Sequence, residues 1–254
     1  MSIHLATITR HQRNQVRALR KKKNRREQGL FIVEGFKSVQ ELLKSDYSIV
    51  EVIMTSSMAK KLKKTMRRVI PIAVTDKTTI SSIGSLAQNE GVIAIAQCKK
   101  NVQPVITTTS RLLIADNIQN PSNLGALMRI ADWYGIEAMI ASSTSVDCYN
   151  SKVIQASMGS FTRVPIYYTS LGKFLKKLKM TIVGATLSGH KLHEQQLPRQ
   201  GALVVGNESQ GISSSIEPYL TQKVTIPRYG QAQSLNVAVA AGIICDYWLK
   251  KSAQ

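Results

Sequence analysis

The run Thr225-Ile-Pro-Arg-Tyr-Gly-Gln-Ala-Gln-Ser-Leu-Asn-Val-Ala-Val-Ala-Ala-Gly-Ile-Ile-Cys-Asp-Tyr-Trp-Leu249 organises the reading of the whole chain. It reads as the end of a strand, a tight polar loop, and a helix beginning near Ser234, whose hydroxyl can accept from the orphan amides of the first helical turn. From Val237 to Leu249 the residues are small and apolar almost all round, so this helix is expected to be buried on more than one side. Gln231, Gln233, Ser234 and Asn236 then form a polar cluster at the mouth of a dry element, where a ligand can be held. A capped core helix with a solvated loop explains the run equally well when it is taken alone.

Upstream of this run, strands and helices alternate regularly. Residues 111–115, 138–141, 164–168, 181–186, 202–205 and 223–226 have strand character. Helices are expected over 123–134, 151–158 and 171–179, the last with Leu171, Phe174, Leu175 and Leu178 on its inner face. This alternation predicts an α/β domain over 111–254, a parallel sheet with helices on both faces, and ligands in such sheets lie beyond the carboxyl ends of the strands. Residues 99–110, with Pro104 and a threonine run, read as a linker. Residues 27–98 read as a smaller α/β domain, with strands at 29–35, 49–54, 70–74 and 88–97 and helices at 36–44 and 59–68.

Charge singles out the front of the chain. The formal net charge is +19, with 34 Lys and Arg against 15 acids, which points to a polyanionic partner. Residues 1–26 form a basic N-terminal helix or arm. Arg10, Arg13, Arg17 and Arg20 recur at helical spacing, followed by Lys21, Lys22, Lys23, Arg25 and Arg26, and no acid interrupts the run. Such a stripe can follow a phosphate backbone, although a solvated helix or a targeting signal has the same composition. Cys98, Cys148 and Cys245 are odd in number and scattered, which fits a reducing compartment and excludes a disulfide framework. No run is long enough to span a membrane and no signal peptide is legible, so a cytoplasmic protein is expected. His190 and His193 have no third ligand nearby in sequence, so no metal is expected. Cys148 lacks a neighbouring His and is read as inert.

Two further loops at strand ends carry chemistry-bearing residues: Asp116-Asn-Ile-Gln-Asn-Pro-Ser-Asn-Leu-Gly-Ala-Leu-Met-Arg129, and Gly206-Asn-Glu-Ser-Gln-Gly211. With the opening run they form an ordered triple that resembles the SpoU/TrmH family of RNA ribose 2′-O-methyltransferases. The first motif is matched by Asn123-Leu-Gly-Ala-Leu-Met-Arg129 and the second by Gly206-Asn-Glu208 with Gly211. Ile226-Pro and Ser234-Leu-Asn236 match the third. Residues 27–97, through Gln28-Gly-Leu-Phe-Ile-Val-Glu-Gly-Phe-Lys37, resemble the family's N-terminal substrate-binding domain, itself similar to a small ribosomal RNA-binding protein.

The resemblance implies a C-terminal trefoil knot, an S-adenosylmethionine site and an obligate homodimer. It assigns cofactor contacts to Thr186, Gly206, Ile226 and Leu235, and catalytic or substrate roles to Asn123, Arg129, Glu208, Ser234 and Asn236. Arg129 takes the position of the proposed activator of the 2′-hydroxyl. Because its charge is nearly fixed, it is expected to act electrostatically rather than as a base. Gln155 stands where relatives often carry a basic residue, and Gln233 where many carry Glu. The implied substrate is RNA, large-subunit rRNA ahead of tRNA. A knotted base methyltransferase and a non-catalytic ribosome assembly factor remain as rival readings.

Overall fold

The computed structural model describes residues 5–62, 64–66, 69–86 and 89–252. The chain runs β1 (Leu5–Thr7), α1 (Arg10–Leu19), α2 (Lys22–Gln28), β2 (Leu30–Glu34), α3 (Phe36–Lys44), β3 (Ile49–Met54), α4 (Ser56–Leu62), β4 (Ile72–Val74), α5 (Lys77–Ile83) and β5 (Val92–Gln97). It continues through β6 (Arg111–Ala115), α6 (Pro121–Trp133), β7 (Ala138–Ser142), α7 (Ser151–Ser157), β8 (Ile166–Thr169), α8 (Leu171–Leu175), β9 (Ile182–Lys191), β10 (Gly201–Val205), β11 (Gln222–Thr225) and α9 (Val237–Ser252). It divides into two compact units, Met1–Lys100 with Asp147–Arg163, and Asn101–Val146 with Val164–Gln254. The division differs from the expected one: residues 1–26 are not set apart, residues 99–110 are shared between the units, and Asp147–Arg163, with α7, groups with the front of the chain.

Side-chain chemistry within the first unit explains that grouping. Phe31 packs its ring 4.5 Å from Tyr149, 5.6 Å from Tyr47 and 6.1 Å from Phe161. The Tyr149 hydroxyl accepts from the Lys99 amide at 2.8 Å. Burial pushes the Tyr47 phenol up to about 12 and raises Tyr149 further still, so both stay neutral donors and acceptors. Arg25, expected on an RNA-facing stripe, is instead buried, 3% exposed. Its Nη2 and Nε donate to Asp147 Oδ2 at 2.6 and 3.1 Å, and its Nη1 donates to the Leu19 and Arg20 carbonyls. A guanidinium with four of its bonds directed inward has no part in an RNA stripe.

The first unit is a five-stranded mixed sheet in the order β1-β4-β3-β5-β2, with β5 antiparallel to both neighbours. Residues 10–26 are integral to it rather than a separate arm. Thr9 and Gln12 close a capping box on α1, and Val16 and Leu19 enter the same core as Ile8, Ile80 and Ile83. The chain then breaks at Arg20–Lys21, so Arg20 lies outside the helix that carries the other three arginines. The expected helix 59–68 is α4, which ends at Leu62; residues 63, 67 and 68 lie outside the described residues. Helix α5 went unread because Lys-Thr-Thr-Ile-Ser-Ser-Ile has poor helix propensity. Asp76 caps it, accepting from the Thr79 amide at 2.7 Å. At the end of β2, the buried Glu34 carboxylate accepts from the Ser85 amide at 2.9 Å, from the Ser85 hydroxyl, and from Asn89 Nδ2 at 3.0 Å. It thereby holds the segment leading into β5.

The second unit is the expected parallel sheet, six strands in the order β11-β9-β10-β6-β7-β8. On one face Leu112, Ile114, Ile140 and Val204 pack with Leu171, Phe174 and Leu175 of α8. Strand alternation turns Leu113, Met139 and Leu203 to the opposite face, and α6 and α9 pack on one another with Leu124, Leu127, Ile244 and Trp248 buried. The chain winds outward from β6 through β7 to β8, then returns to place β10 against β6, so the winding reverses between these two strands. Loops leaving the carboxyl ends of β6 and β10 therefore face each other across that reversal.

Three local departures shape the site. Helix α9 starts at Val237 rather than near Ser234, because Asn236 is the cap: its Oδ1 accepts from the Ala238 and Val239 amides at 2.9 and 3.4 Å. Ser234 stays exposed in the preceding loop. Helix α8 stops at Leu175, short of the expected Lys179. Strand β9 is longer than expected, and its pairing with β11 jumps from Gly184 opposite Lys223 to His190 opposite Val224, so Ala185–Gly189 protrudes from the sheet. Gly189 permits the return to register, since a Cβ there would fall 2.6 Å from the Lys223 carbonyl carbon.

Candidate active site

The loop after β6 is stitched to the loop after β10. Buried Asp116 accepts from the Ser213 amide at 2.7 Å, and Asn207 Nδ2 donates to the Asn117 carbonyl at 2.9 Å. Asn117 itself adopts a left-handed conformation, φ 54°, which asparagine tolerates better than most residues. Asn120 caps α6, accepting from the Ser122 and Asn123 amides, and Pro121 at the first helical position needs no such partner.

This fixes Asn123 in the first turn of α6, 8% exposed, as the junction of the site. Its Nδ2 donates to Glu208 Oε1, and its Oδ1 accepts from Asn236 Nδ2 at 2.9 Å. One amide thus joins residues from all three sequence motifs, 85 and 113 positions apart in the chain. Glu208 is exposed apart from this bond, which presents an anionic acceptor at the mouth of a polar cleft. That cleft, about 390 Å³, is lined by Asn117, Gln119, Asn120, Asn207, Ser209 and Gln210 besides Glu208.

The second loop closes on itself. Asn207 and Gly211 exchange both backbone hydrogen bonds at 2.9 Å, and Asn207 Oδ1 accepts from the Ser209 and Gln210 amides. This leaves no room at Gly206, where a Cβ would lie 2.1 Å from the Gly211 carbonyl carbon. Gly206→Ala is expected to force the loop open at a cost of about 3 kcal/mol or more, the scale of overpacking against backbone. Hydrogen exchange should speed up at Ser209 and Gln210; unchanged protection there would contradict this account.

The other expected residues fall into two groups. Thr186 lies on the protruding stretch of β9, and its Oγ1 is buried with no hydrogen-bond partner among the described residues. Ile226 is half-buried and Leu235 is 48% exposed, so these positions offer apolar surface while Thr186 offers a hydroxyl without a partner among the described residues. That mixture suits a ligand with an adenosine-like face and polar edges. Arg129 and Ser234, in contrast, are exposed and hydrogen-bond to none of Asn123, Glu208 or Asn236. Six residues along α6 correspond to a rotation of roughly 600°, which turns Arg129 about 120° from Asn123. Within one chain the structure therefore joins Asn123, Glu208 and Asn236 and leaves Arg129 and Ser234 apart.

Of the basic residues in the first unit, Arg10, Arg17, Arg20, Lys21, Lys22, Lys23 and Arg26 are exposed. Arg13 is half-buried, and its Nε has no hydrogen-bond partner among the described residues. Burial raises the thiols of Cys98 and Cys245 to about 11 and about 12, which removes them as nucleophiles at neutral pH. Among the described residues, no three His, Cys, Asp or Glu side chains converge as a metal site, and no helix is long and apolar enough to cross a membrane. Asp116, Asn117, Asn120 and Asn207 were not singled out from sequence. Their signal was the density of Asn and Asp at a strand end, where side chains replace missing backbone partners.

Comparison with known proteins gives a consistent result. The model of the SpoU rRNA Methylase family matches residues 110–246, and that of the MRM3-like substrate binding domain matches residues 12–94. The 23S rRNA (guanosine(2553)-2′-O)-methyltransferase RlmP of Bacillus subtilis (strain 168) is 27% identical over 231 residues, 89% of this chain and 91% of that protein. The 23S rRNA (guanosine-2′-O-)-methyltransferase RlmB of Neisseria meningitidis serogroup B is 31% identical over 229 residues, 84% and 92% of the two chains. A solved TrmH-family structure from Porphyromonas gingivalis superposes with a TM-score of 0.87 at 29% identity, covering 97% of this chain and all of that one.

Proposed function

The chain belongs to the SpoU rRNA methylase family, and we propose that it methylates a ribose 2′-hydroxyl of large-subunit rRNA using S-adenosylmethionine. The observation that carries this reading is the Asn123 junction, which gathers the three family motifs at one edge of the sheet. The names of the relatives from Bacillus and Neisseria favour rRNA over tRNA and guanosine as the nucleoside. The junction of Asn123, Glu208 and Asn236 beside a polar cleft argues against a non-catalytic assembly factor.

Bound against Thr186, Gly206, Ile226 and Leu235, S-adenosylmethionine supplies an electrophilic methyl group. The unpartnered Thr186 hydroxyl and the close-packed Gly206 backbone fit such a ligand. Asn123 and Asn236 fix the position of Glu208, which orients the ribose hydroxyl and accepts its hydrogen bond. Ser234 contributes a further donor from its exposed loop. Arg129 clamps the adjacent phosphate and favours loss of the hydroxyl proton by charge alone, since a guanidinium does not deprotonate at working pH.

The same reading includes a homodimer and a C-terminal trefoil knot. Trp133 on α6 is 84% exposed, and Val239 and Ile243 on α9 are 51% and 41% exposed, an apolar patch on two helices that pack together. Arg129, one turn from Trp133, belongs to the face a second copy would cover, which accounts for its separation from Asn123 in one chain. The first unit binds the RNA through its exposed arginines and lysines, and the protein works in the cytoplasm.

Nucleoside analysis of rRNA and tRNA from cells with and without the gene tests the function directly. One 2′-O-methylated nucleoside should disappear from large-subunit rRNA on deletion and return with the wild-type gene. Arg129→Ala should lower the single-turnover rate by about 100–1,000-fold, the cost of losing one electrostatic stabiliser, and Arg129→Lys by less. Unchanged rRNA, together with no binding of S-adenosylmethionine, would sink the reading in favour of an assembly factor.

A further inference from the structure

The second unit carries another cleft, of about 450 Å³, that the proposed methyl transfer does not use. Its floor includes Ile106, Tyr167 and Met180, and Lys173, Lys177 and Lys179 stand around it. Ile106 lies ahead of β6 and Met180 ahead of β9. Every strand of this sheet runs the same way, so Ile106 and Met180 lie on the edge opposite Asn123 and Glu208, while Thr169 and Lys173 lie at and beyond the carboxyl end of β8 and carry the cleft along the flank of the sheet. A five-residue strand separates the two edges by about 16 Å.

The lysines around this cleft differ from three others in the unit. Lys191, Lys223 and Lys250 are ion-paired, to Glu194 at 3.2 Å, Glu217 at 2.7 Å and Asp246 at 2.8 Å. Lys173, Lys177 and Lys179 are exposed and make no ion pair among the described residues, and none of the residues lining the cleft is acidic. From Val164 to His193 the sequence contains no acid at all. A solvated lysine face would not need an aromatic and aliphatic floor beneath it. Unpaired ammonium groups around an apolar seat are the elements with which proteins hold single-stranded nucleic acid: charge along the backbone, and a flat or apolar surface under a base.

We propose that this cleft is a second RNA-binding surface: one unpaired base seats on the Ile106–Tyr167–Met180 floor, and Lys173, Lys177 and Lys179 hold the flanking phosphates. The inference rests on the reading of the chain as RNA-binding and adds a contact on the flank of the methyltransferase unit that reaches its far edge at Ile106 and Met180. A substrate that engages both edges must extend past the methylated nucleotide, so a short oligonucleotide around the target would lose this contribution.

The test uses the full-length protein and a fluorescein-labelled RNA hairpin with a single-stranded tail, followed by anisotropy across a salt titration. Lys173→Glu, Lys177→Glu and Lys179→Glu together should weaken binding at least tenfold. They should also flatten the dependence of log K on log salt by about 2, at about 0.7 per lost single-strand phosphate contact. A control triple at the paired lysines, Lys191→Glu, Lys223→Glu and Lys250→Glu, has the same change in net charge and should flatten it far less. Tyr167→Leu should weaken binding at least fivefold with the slope unchanged, because stacking is not counterion release. Equal effects of the two triples, or a Tyr167→Leu variant that binds like wild type, would overturn the proposal while leaving RNA binding intact. A wild-type protein that binds no hairpin would instead overturn the RNA reading itself, and S-adenosylmethionine binding, measured in parallel, separates that outcome from misfolding.

Discussion

Asn123→Asp should reduce methyl transfer at pH 7.5 by at least 100-fold, a loss on the scale of removing one preorganised polar group. The substitution is isosteric, but it replaces the Nδ2 donor to Glu208 with a carboxylate oxygen. Two carboxylates at hydrogen-bond distance repel unless a proton is shared between them, and the repulsion raises the pH at which that proton is lost. At pH 7.5 the pair repels, Glu208 swings away and the loop from Gly206 to Gly211 loses its tie to α6. As the pH falls the shared proton returns and restores a donor, so Asn123→Asp should recover activity towards acid pH relative to wild type. Asn123→Ala, which has no proton to regain, should show no such recovery. Single-turnover assays across pH distinguish them, and parallel profiles for the two variants would rule the mechanism out. Cofactor binding should change only a few-fold in both, because the contacts assigned to it lie elsewhere.

The second large effect concerns stability. Arg25→Ala should destabilise the first unit by about 3–5 kcal/mol, the usual cost of leaving a buried charge without its partner. The orphan is Asp147, which loses two hydrogen bonds, while the Leu19 and Arg20 carbonyls lose theirs. Asp147→Asn in the same background should recover part of the loss by removing the unpaired charge. Chemical denaturation of the three proteins gives the comparison. An Arg25→Ala protein as stable as wild type but weak in RNA binding would return Arg25 to the RNA surface.

Arg25 also shows where sequence stops being informative. Nine basic residues in an acid-free run read as one electrostatic surface, and composition cannot tell that one of them turns inward towards a partner 122 residues away. Burial is decided by the fold, not by the run. The alternation of strands and helices was legible because β6, β7 and β10 are short apolar runs and α8 carries apolar residues at helical spacing, so the parallel sheet followed directly. The candidate site was legible in part: Asn123, Glu208 and Asn236 were named from their motifs and do meet. Ser234 looked like the cap of α9 because Ser and Asn cap equally well, and the choice between them depends on the loop that precedes the helix. Helix α5 escaped because its propensity is weak; α7 was expected as a helix, and only its grouping with the first unit was not, because aromatic contacts with distant residues place it.

The return of Asp147–Arg163 to the first unit bears on how this protein can be dissected. A fragment starting at residue 101 would include the whole parallel sheet, but it would also carry Tyr149 and Phe161 without the Phe31 and Tyr47 rings they pack against. The reciprocal fragment, residues 1–100, would expose the other half of the same aromatic cluster. A split that keeps the aromatic cluster whole would carry 147–163 with the first piece.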